Sequence, residues 1–337
     1  MPVTLRSFAK INLGLRIGVS RPDGYHELLT VYQTVGLHDL VRVSIERGSG
    51  IEIQCADSRV PTDDRNTCYR VVERAMPLLG AKGRVLIQID KHLPVQGGVG
   101  GASANAVSTL LGLERVLKKR LTAVERLRIV AEVGSDLPLF LLGGTVLGLG
   151  RGEQVYPLPD LLPIPCVVVT PDIGVSTPKA FAEWDRRREA DLHPAGQRTA
   201  AVPARAAHTL TVARSSDRID ELSHGLSAWL SEQYSGAPFG RGLAENPLLA
   251  LVRAGIKNDF EEVVFPEYPE LGEAKTALLR AGAKYASLSG SGSTLYGLFA
   301  SKAAATSAAL RVRRLGWATQ VTATLSRSAY WRRMSVG

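Results

Sequence analysis

Apolar and polar residues alternate from the start of the chain. Val3, Leu5, Ala9, Ile11, Leu13, Leu15 and Ile17 fall on one face of an extended segment, and Arg6, Phe8, Lys10, Asn12 and Arg16 on the other. Lys10 and Asn12 therefore project side by side. Further strands are predicted at Leu40 to Ile45, Ile51 to Cys55 and Val85 to Ile89, with Asn66 capping a helix that carries Val71, Val72, Ala75, Met76 and Leu79. Ala106, Leu110, Leu113 and Leu117 recur at helical spacing. The next helix opens on the capping box Thr122 and Glu125 and stops at Gly134, leaving Ser135-Asp136-Leu137-Pro138 in a tight connection before another short helix. A hairpin from Val146 to Tyr156 and the apolar run Cys166 to Val169 complete an N-terminal unit over residues 1–170.

Residues 171–245 read as a connection, in which the Ala-, Arg-, Ser- and Pro-rich stretch from about Arg186 to Gly240 is an insertion without clear periodicity. Regular patterning returns over 246–337. Helices are predicted around Leu248 to Ala254 and Pro269 to Ala281, then two strands flanking a Ser/Gly loop, a helix from Lys302 to Leu315 and a strand from Trp317 to Thr322. That alternation suggests a small α+β sandwich of ferredoxin-like type.

The length of 337 residues and the 45% of apolar residues fit two domains, each with a core. The three cysteines, Cys55, Cys68 and Cys166, show no metal or redox spacing and read as small buried hydrophobes of a reducing compartment. With no leader pattern and no run long enough for a membrane span, a soluble cytoplasmic protein is expected. Basic residues exceed acidic ones by nine, which suits an anionic ligand. Arg311, Arg313, Arg314, Arg327, Arg332 and Arg333 account for much of the excess; with few aromatics among them they read as a solvated face rather than a nucleic-acid platform.

The candidate chemistry centres on Leu93 to Ala106, where Gly97, Gly98, Gly100 and Gly101 precede a helix. Such a loop brings backbone N–H groups and a helix N-terminus to one place, a natural seat for phosphate, although a glycine-rich stretch is also how a plain turn is built. It lacks the Lys of a Walker A loop, and Asp90 to Gln96 separate it from the strand that a dinucleotide fingerprint would require. Tyr25 and His26, delivered by the turn Arg21 to Glu27, either stack on and hydrogen-bond a base or close the turn. Asp136 reads as a helix cap or a functional carboxylate, and Ser289 to Ser293 as a hairpin turn or a second donor loop.

Taken in order, Ala9-Lys10-Ile11-Asn12-Leu13, the loop Pro94 to Ser103, Gly134-Ser135-Asp136-Leu137-Pro138, Asn258-Asp259-Phe260-Glu261 and Leu288 to Ser293 resemble the GHMP small-molecule kinase superfamily. Arg21-Pro22-Asp23-Gly24-Tyr25-His26-Glu27 is similar to the branch acting on a cytidine-diphosphate-linked methylerythritol. The resemblance implies an α+β, two-domain GHMP kinase fold, with a ribosomal protein S5 domain 2-like N-terminal domain and a ferredoxin-like C-terminal domain. It implies ATP as phosphoryl donor with Mg2+ carried by ATP rather than by a protein cage. A small-molecule acceptor is implied, with no nucleic acid or membrane partner, in a monomer or weak homodimer.

Residue by residue, it makes Lys10 and Asp136 catalytic. It puts the nucleotide on Asn66 and on Pro94, Val95, Gln96, Gly97, Gly98, Val99, Gly100, Gly101, Ala102, Ser103 and Ala104, and the acceptor on Asn12, Tyr25, His26 and Phe181. Phe181 equally suits a core position. The chain departs from the family loop at Gln96, where Gly is usual, and at Ala104, where a second Ser is usual; Asn105 replaces a frequent Asp. A kinase of mevalonate, homoserine or a sugar would keep the glycine loop but has no reason to keep Tyr25-His26. A non-catalytic RNA-binding protein would need neither Lys10 nor Asp136.

Overall fold

In the computed structural model, which describes residues 1–192, 219–220, 222–224, 226–227 and 256–336, two long antiparallel strands carry the architecture. β1 (Val3–Ser20) runs against β2 (His26–Glu46), from Val3 opposite Val43 to Ser20 opposite His26. Both faces of β1 are covered, so the simple alternation does not persist. Register shifts after Phe8, Asn12 and Ile17 redirect the side chains. Leu5 and Phe8 enter one core, Ala9, Ile11 and Leu13 a second, and Leu15 and Ile17 a third. Phe8, expected on the face of Lys10 and Asn12, keeps its alternation with Leu5 but is buried in the same core, and the shift after it offsets Lys10 and Asn12 from it.

The C-terminal half of β2 pairs with β4 (Arg84–Asp90) and its N-terminal half with β5 (Thr145–Leu149). β3 (Ile51–Cys55) joins β4 in parallel and β6 (Gln154–Pro157) joins β5, which completes a six-stranded sheet. Helices α1 (Thr67–Leu78), α2 (Gly101–Leu117) and α3 (Ala123–Val133) bury their apolar stripes against it. Asn66 caps α1 by accepting from the Cys68 N–H, and Thr122 with Glu125 forms the expected capping box of α3.

The second sheet has the order β10-β7-β9-β8, all antiparallel, formed by β7 (Pro165–Val169), β8 (Tyr285–Leu288), β9 (Leu295–Leu298) and β10 (Thr319–Ala323). With α4 (Thr177–Leu192), α5 (Glu261–Glu267), α6 (Pro269–Arg280) and α7 (Lys302–Arg314), this is the βαββαβ arrangement of a ferredoxin-like unit. Cys166 to Val169 is its first strand, not the end of the N-terminal unit, because the first crossover helix needs a strand before it. The helix expected at Leu248 to Ala254 and most of the 186 to 240 stretch lie outside the described residues.

A last helix, α8 (Arg327–Met334), returns to the first sheet and buries Tyr330 and Met334. Its arginines are only partly a solvated face. Arg327 donates to the carbonyls of Thr145 and Leu158, and the Arg333 guanidinium lies 5.6 Å from the Phe8 ring centroid. Cys68 and Cys166 are buried and Cys55 half-buried, all as free thiols, and burial pushes the Cys68 thiol up to about 12. No helix among the described residues is long and apolar enough to cross a membrane.

The two units are joined by the second core, where Ala9, Ile11, Leu13 and Val31 meet Cys166, Val168, Tyr296 and Leu298. They are also joined by the buried ion pair of Arg16 with Asp259, 2.9 Å apart, whose carboxylate accepts from the Ile17 N–H as well. Asp259→Ala takes one carboxylate from the buried Arg16 and the acceptor from the Ile17 N–H, and is expected to destabilise the fold by about 1–3 kcal/mol. A urea titration checks this; an unchanged midpoint would contradict it.

Candidate active site

The glycine loop enters α2 through Gly100, a left-handed N-cap with φ +71°. A Cβ there would lie 2.9 Å from the Phe140 ring and 3.0 Å from Lys10 Cγ, so only glycine lets the three segments meet. The same closeness recurs between the two glycine loops, where a Cβ on Gly292 would stand 2.6 Å from the backbone of Gly97 and Gly98. Backbone bonds seal the junction. Lys10 N donates to Val99 O at 2.9 Å and Thr294 N to Gly97 O at 3.2 Å, while Ser289 Oγ donates to Gly98 O at 3.0 Å. Gln96, in the position where glycine is usual, holds φ +58°, a left-handed conformation that costs a side-chain-bearing residue about 1–2 kcal/mol.

Beneath the loop, fully buried Asp39 accepts from His92 N and Leu93 N, both at 2.7 Å, from Lys91 Nζ at 2.6 Å and from Asn105 Nδ2 at 3.0 Å. One carboxylate thus ties the end of β4, the loop and α2 together, with its charge compensated by Lys91.

Beside the loop, Lys10 and Asn12 stand where the alternation puts them, and Lys10 Nζ donates to Asn12 Oδ1 at 2.6 Å. Asn12 Nδ2 in turn donates to Thr30 Oγ1 at 2.8 Å, which fixes the amide orientation. Lys10 Nζ lies 3.4 Å from Asp136 Oδ2. Asp136 sits just before a 3-10 turn, Pro138–Leu141, and its other oxygen accepts from the buried Tyr32 hydroxyl at 3.0 Å. Burial, then the Asp136 charge, push the Tyr32 phenol well above its ordinary range, so it remains a donor. The Lys10 side chain is 4% exposed and that of Asp136 36%, leaving the carboxylate open to solvent and the ammonium sheltered behind it.

An aromatic corner closes the far side. His26 stacks on Phe181 with centroids 4.7 Å apart and planes 14° from parallel, and its Nε2 lies 2.7 Å from Asp185 Oδ1. Phe181 meets Phe260 edge-on at 4.9 Å. Tyr25 is half-exposed, with the Arg151 guanidinium 4.7 Å from its ring centroid.

Lys10, Asn12, Tyr25, His26, Asn66, Asp136, Phe181 and the loop from Pro94 to Ser103 all line one cleft of about 570 Å³. Ala104 does not; it turns into the first core, as the fourth residue of α2 must when the cleft faces the helix start. Phe181 lines the cleft and also packs against the third core. Asn66 lines the wall but spends its amide locally, donating to Pro61 O at 2.6 Å and accepting from Cys68 N. Ser291 of the second glycine loop lines the cleft as well, and the pattern missed Tyr32, Lys91, Arg151 and Thr177, which do too. Only Tyr32 had a signal, as the partner of Asn12 across the β1–β2 pair.

N–H donors at a helix start, a sheltered ammonium and an open carboxylate together suit transfer of a phosphoryl group, which asks for positioning and charge neutralisation more than covalent help. The chain's relatives agree. Residues 66–144 match the family described as GHMP kinases N terminal domain, and residues 238–316 match GHMP kinases C terminal. The chain is 36% identical over 296 residues to the 4-diphosphocytidyl-2-C-methyl-D-erythritol kinase of Solibacter usitatus, spanning 88% of this chain and 80% of that one. It is 37% identical over 312 residues to the protein of that name from a Synechococcus strain, spanning 92% and 89%. Among solved structures, a crystal structure of 4-(cytidine 5'-diphospho)-2C-methyl-D-erythritol kinase superposes with TM-score 0.68 at 26% identity, covering 95% of this chain and 98% of that one. A homoserine kinase from Cytophaga hutchinsonii, at TM-score 0.66 and 18% identity over 96% and 95% of the two chains, shares the fold. The chain belongs to the 4-diphosphocytidyl-2-C-methyl-D-erythritol kinase family of the GHMP kinases.

Proposed function

We propose that the chain transfers the γ-phosphoryl group of ATP to the 2-hydroxyl of 4-diphosphocytidyl-2-C-methyl-D-erythritol, in the non-mevalonate route to isoprenoid precursors. The observation that carries this reading is the Lys10–Asp136 pair, standing between a loop of N–H donors and the aromatic corner of Tyr25, His26 and Phe181. Asp136 orients the acceptor hydroxyl and takes its proton as the oxygen bonds to the γ-phosphorus and the bond to the β-phosphate oxygen breaks, releasing ADP. Lys10 neutralises charge building on the transferred group, and Asn12 holds Lys10 in place.

The loop from Pro94 to Ser103 and the N-terminus of α2 hold the ATP phosphates, with Asn66 on the adenosine side. Among the described residues no group of three or more His, Cys, Asp or Glu stands together, and the buried Asp39 is already fully engaged. This donor set fits Mg2+ entering with ATP and held mainly by phosphate oxygens, where it neutralises their charge. Tyr25, His26 and Phe181 receive the cytosine. Arg151 stacks on Tyr25, and its neighbour Gly152 comes within 3.9 Å of Asp136 Oδ1, measured from a Cβ built on it. Arg151, a cationic side chain lining the same cleft as Tyr25 and Asp136, is assigned to the diphosphate linking cytidine to methylerythritol.

Both substrates are phosphate anions that do not cross a bilayer, which supports a cytoplasmic site of action.

ADP release with magnesium-ATP tests the reading directly. Turnover is expected with the cytidylyl acceptor and not with mevalonate or homoserine, falling at least about a hundredfold in Asp136→Ala. Full turnover in that variant, or preference for another acceptor, would contradict the assignment. Arg151→Gln is expected to raise KM for the cytidylyl acceptor about tenfold or more while leaving KM for ATP unchanged. Equal effects on both substrates would remove Arg151 from the acceptor path.

A further inference from the structure

The arginine-rich C-terminus has no place in the chemistry above, yet α8 is seated on the segment that follows Asp136. A 3-10 turn is short and leaves its last carbonyls without partners in its own backbone. Here α8 supplies them: Tyr330 Oη donates to Phe140 O at 2.7 Å, and Trp331 Nε1 donates to Leu142 O at 3.0 Å. The next two residues, Gly143 and Gly144, hold φ +69° and +72°. A Cβ on Gly143 would lie 2.3 Å from the Tyr330 ring, and one on Gly144 2.8 Å from Arg327 N. The guanidinium of Arg327 then donates to Thr145 O at 3.0 Å, where β5 begins.

The turn held in this way borders both halves of the reacting site. Its N-terminal side is Asp136, and its Phe140 ring is the surface that Gly100 touches at the start of α2. A shift of Phe140 and Leu142 would move the Asp136 carboxylate relative to a phosphate loop held independently by Lys10 N, Thr294 N and Ser289 Oγ.

We propose that α8 is a positioning element for phosphoryl transfer, with Tyr330 and Trp331 fixing the turn that carries Asp136. The inference rests on the reading of Asp136 given above. Its consequence is specific: loosening the turn costs the chemical step and not the binding of either substrate, because α8 touches neither the loop's N–H donors nor the aromatic corner. Misplacement of a reacting group by a fraction of an ångström is enough to lower kcat by about tenfold or more.

The test is steady-state kinetics on Tyr330→Phe/Trp331→Phe, which removes the two donors and keeps an aromatic ring at each position. Arg332→Ala, an exposed position on the same helix, serves as control and should leave activity unchanged. The double variant is expected to lose about tenfold in kcat with both KM values unchanged. Placed in an Asp136→Ala background, the same two changes should leave the residual rate where it was, since the group they position is gone. An unchanged kcat, or the same fractional loss with and without Asp136, would overturn the proposal. Should the double variant fail to fold, Tyr330→Phe alone is read in the same two backgrounds. Wild-type turnover in Asp136→Ala by itself would instead overturn the functional reading, and the proposal with it.

Discussion

The structure depends on the close approach of three stretches of backbone around Lys10. Lys10 N bonds to Val99 O, Gly98 O receives Ser289 Oγ, and Gly292 lies against Gly97 at a distance that excludes a Cβ. A Cβ at Gly292 or Gly100 would stand 2.6 or 2.9 Å from its neighbours, closer than van der Waals contact allows, and would force these segments apart. Glycine costs conformational entropy at each position, so the sequence concentrates it where approach is indispensable and offsets the cost with buried partners. Asp39 is the chief of these, binding loop, strand end and helix from below with four hydrogen bonds.

That junction also explains why the site needs both units. β1 and the first glycine loop belong to the six-stranded sheet, and the Ser/Gly loop belongs to the ferredoxin-like unit. The aromatic corner is shared in the same way: Tyr25 and His26 follow β1, whereas Phe181 comes from α4 and Phe260 stands just ahead of α5. Anion-binding backbone, a Lys–Asp pair and a flat aromatic surface are thereby brought to one cleft from segments distant in sequence.

Much of this was legible in the chain and some could not be. Period-two alternation placed Lys10 beside Asn12, and the glycine spacing marked the loop, because local backbone geometry alone decides both. Caps at Asn66 and Thr122 were readable for the same reason. The bulge after Phe8 leaves no trace in hydrophobicity, so the alternation does not show that the register of Lys10 and Asn12 is offset from that of Arg6 and Phe8. Cys166 to Val169, apolar on both faces, reads the same in either sheet, and only the βαββαβ connectivity assigns it to the second. Three arginines among eight residues hid α8, whose apolar contacts come from Ala329, Tyr330, Trp331 and Met334. The pairing of Lys10 with Asp136 is long-range, and resemblance rather than pattern joined them. Tyr32 and Arg151 went unmarked because each acts through a partner that only the fold supplies.

The central claim is that the cleft moves a phosphoryl group onto an acceptor hydroxyl rather than to water. Phosphorus NMR of the reaction with ATP and the cytidylyl substrate tests it most directly. The account predicts one new phosphomonoester resonance growing in step with ADP, while the two diphosphate signals of the substrate persist. Inorganic phosphate as the only new signal besides those of ADP, or loss of the diphosphate pair, would contradict it.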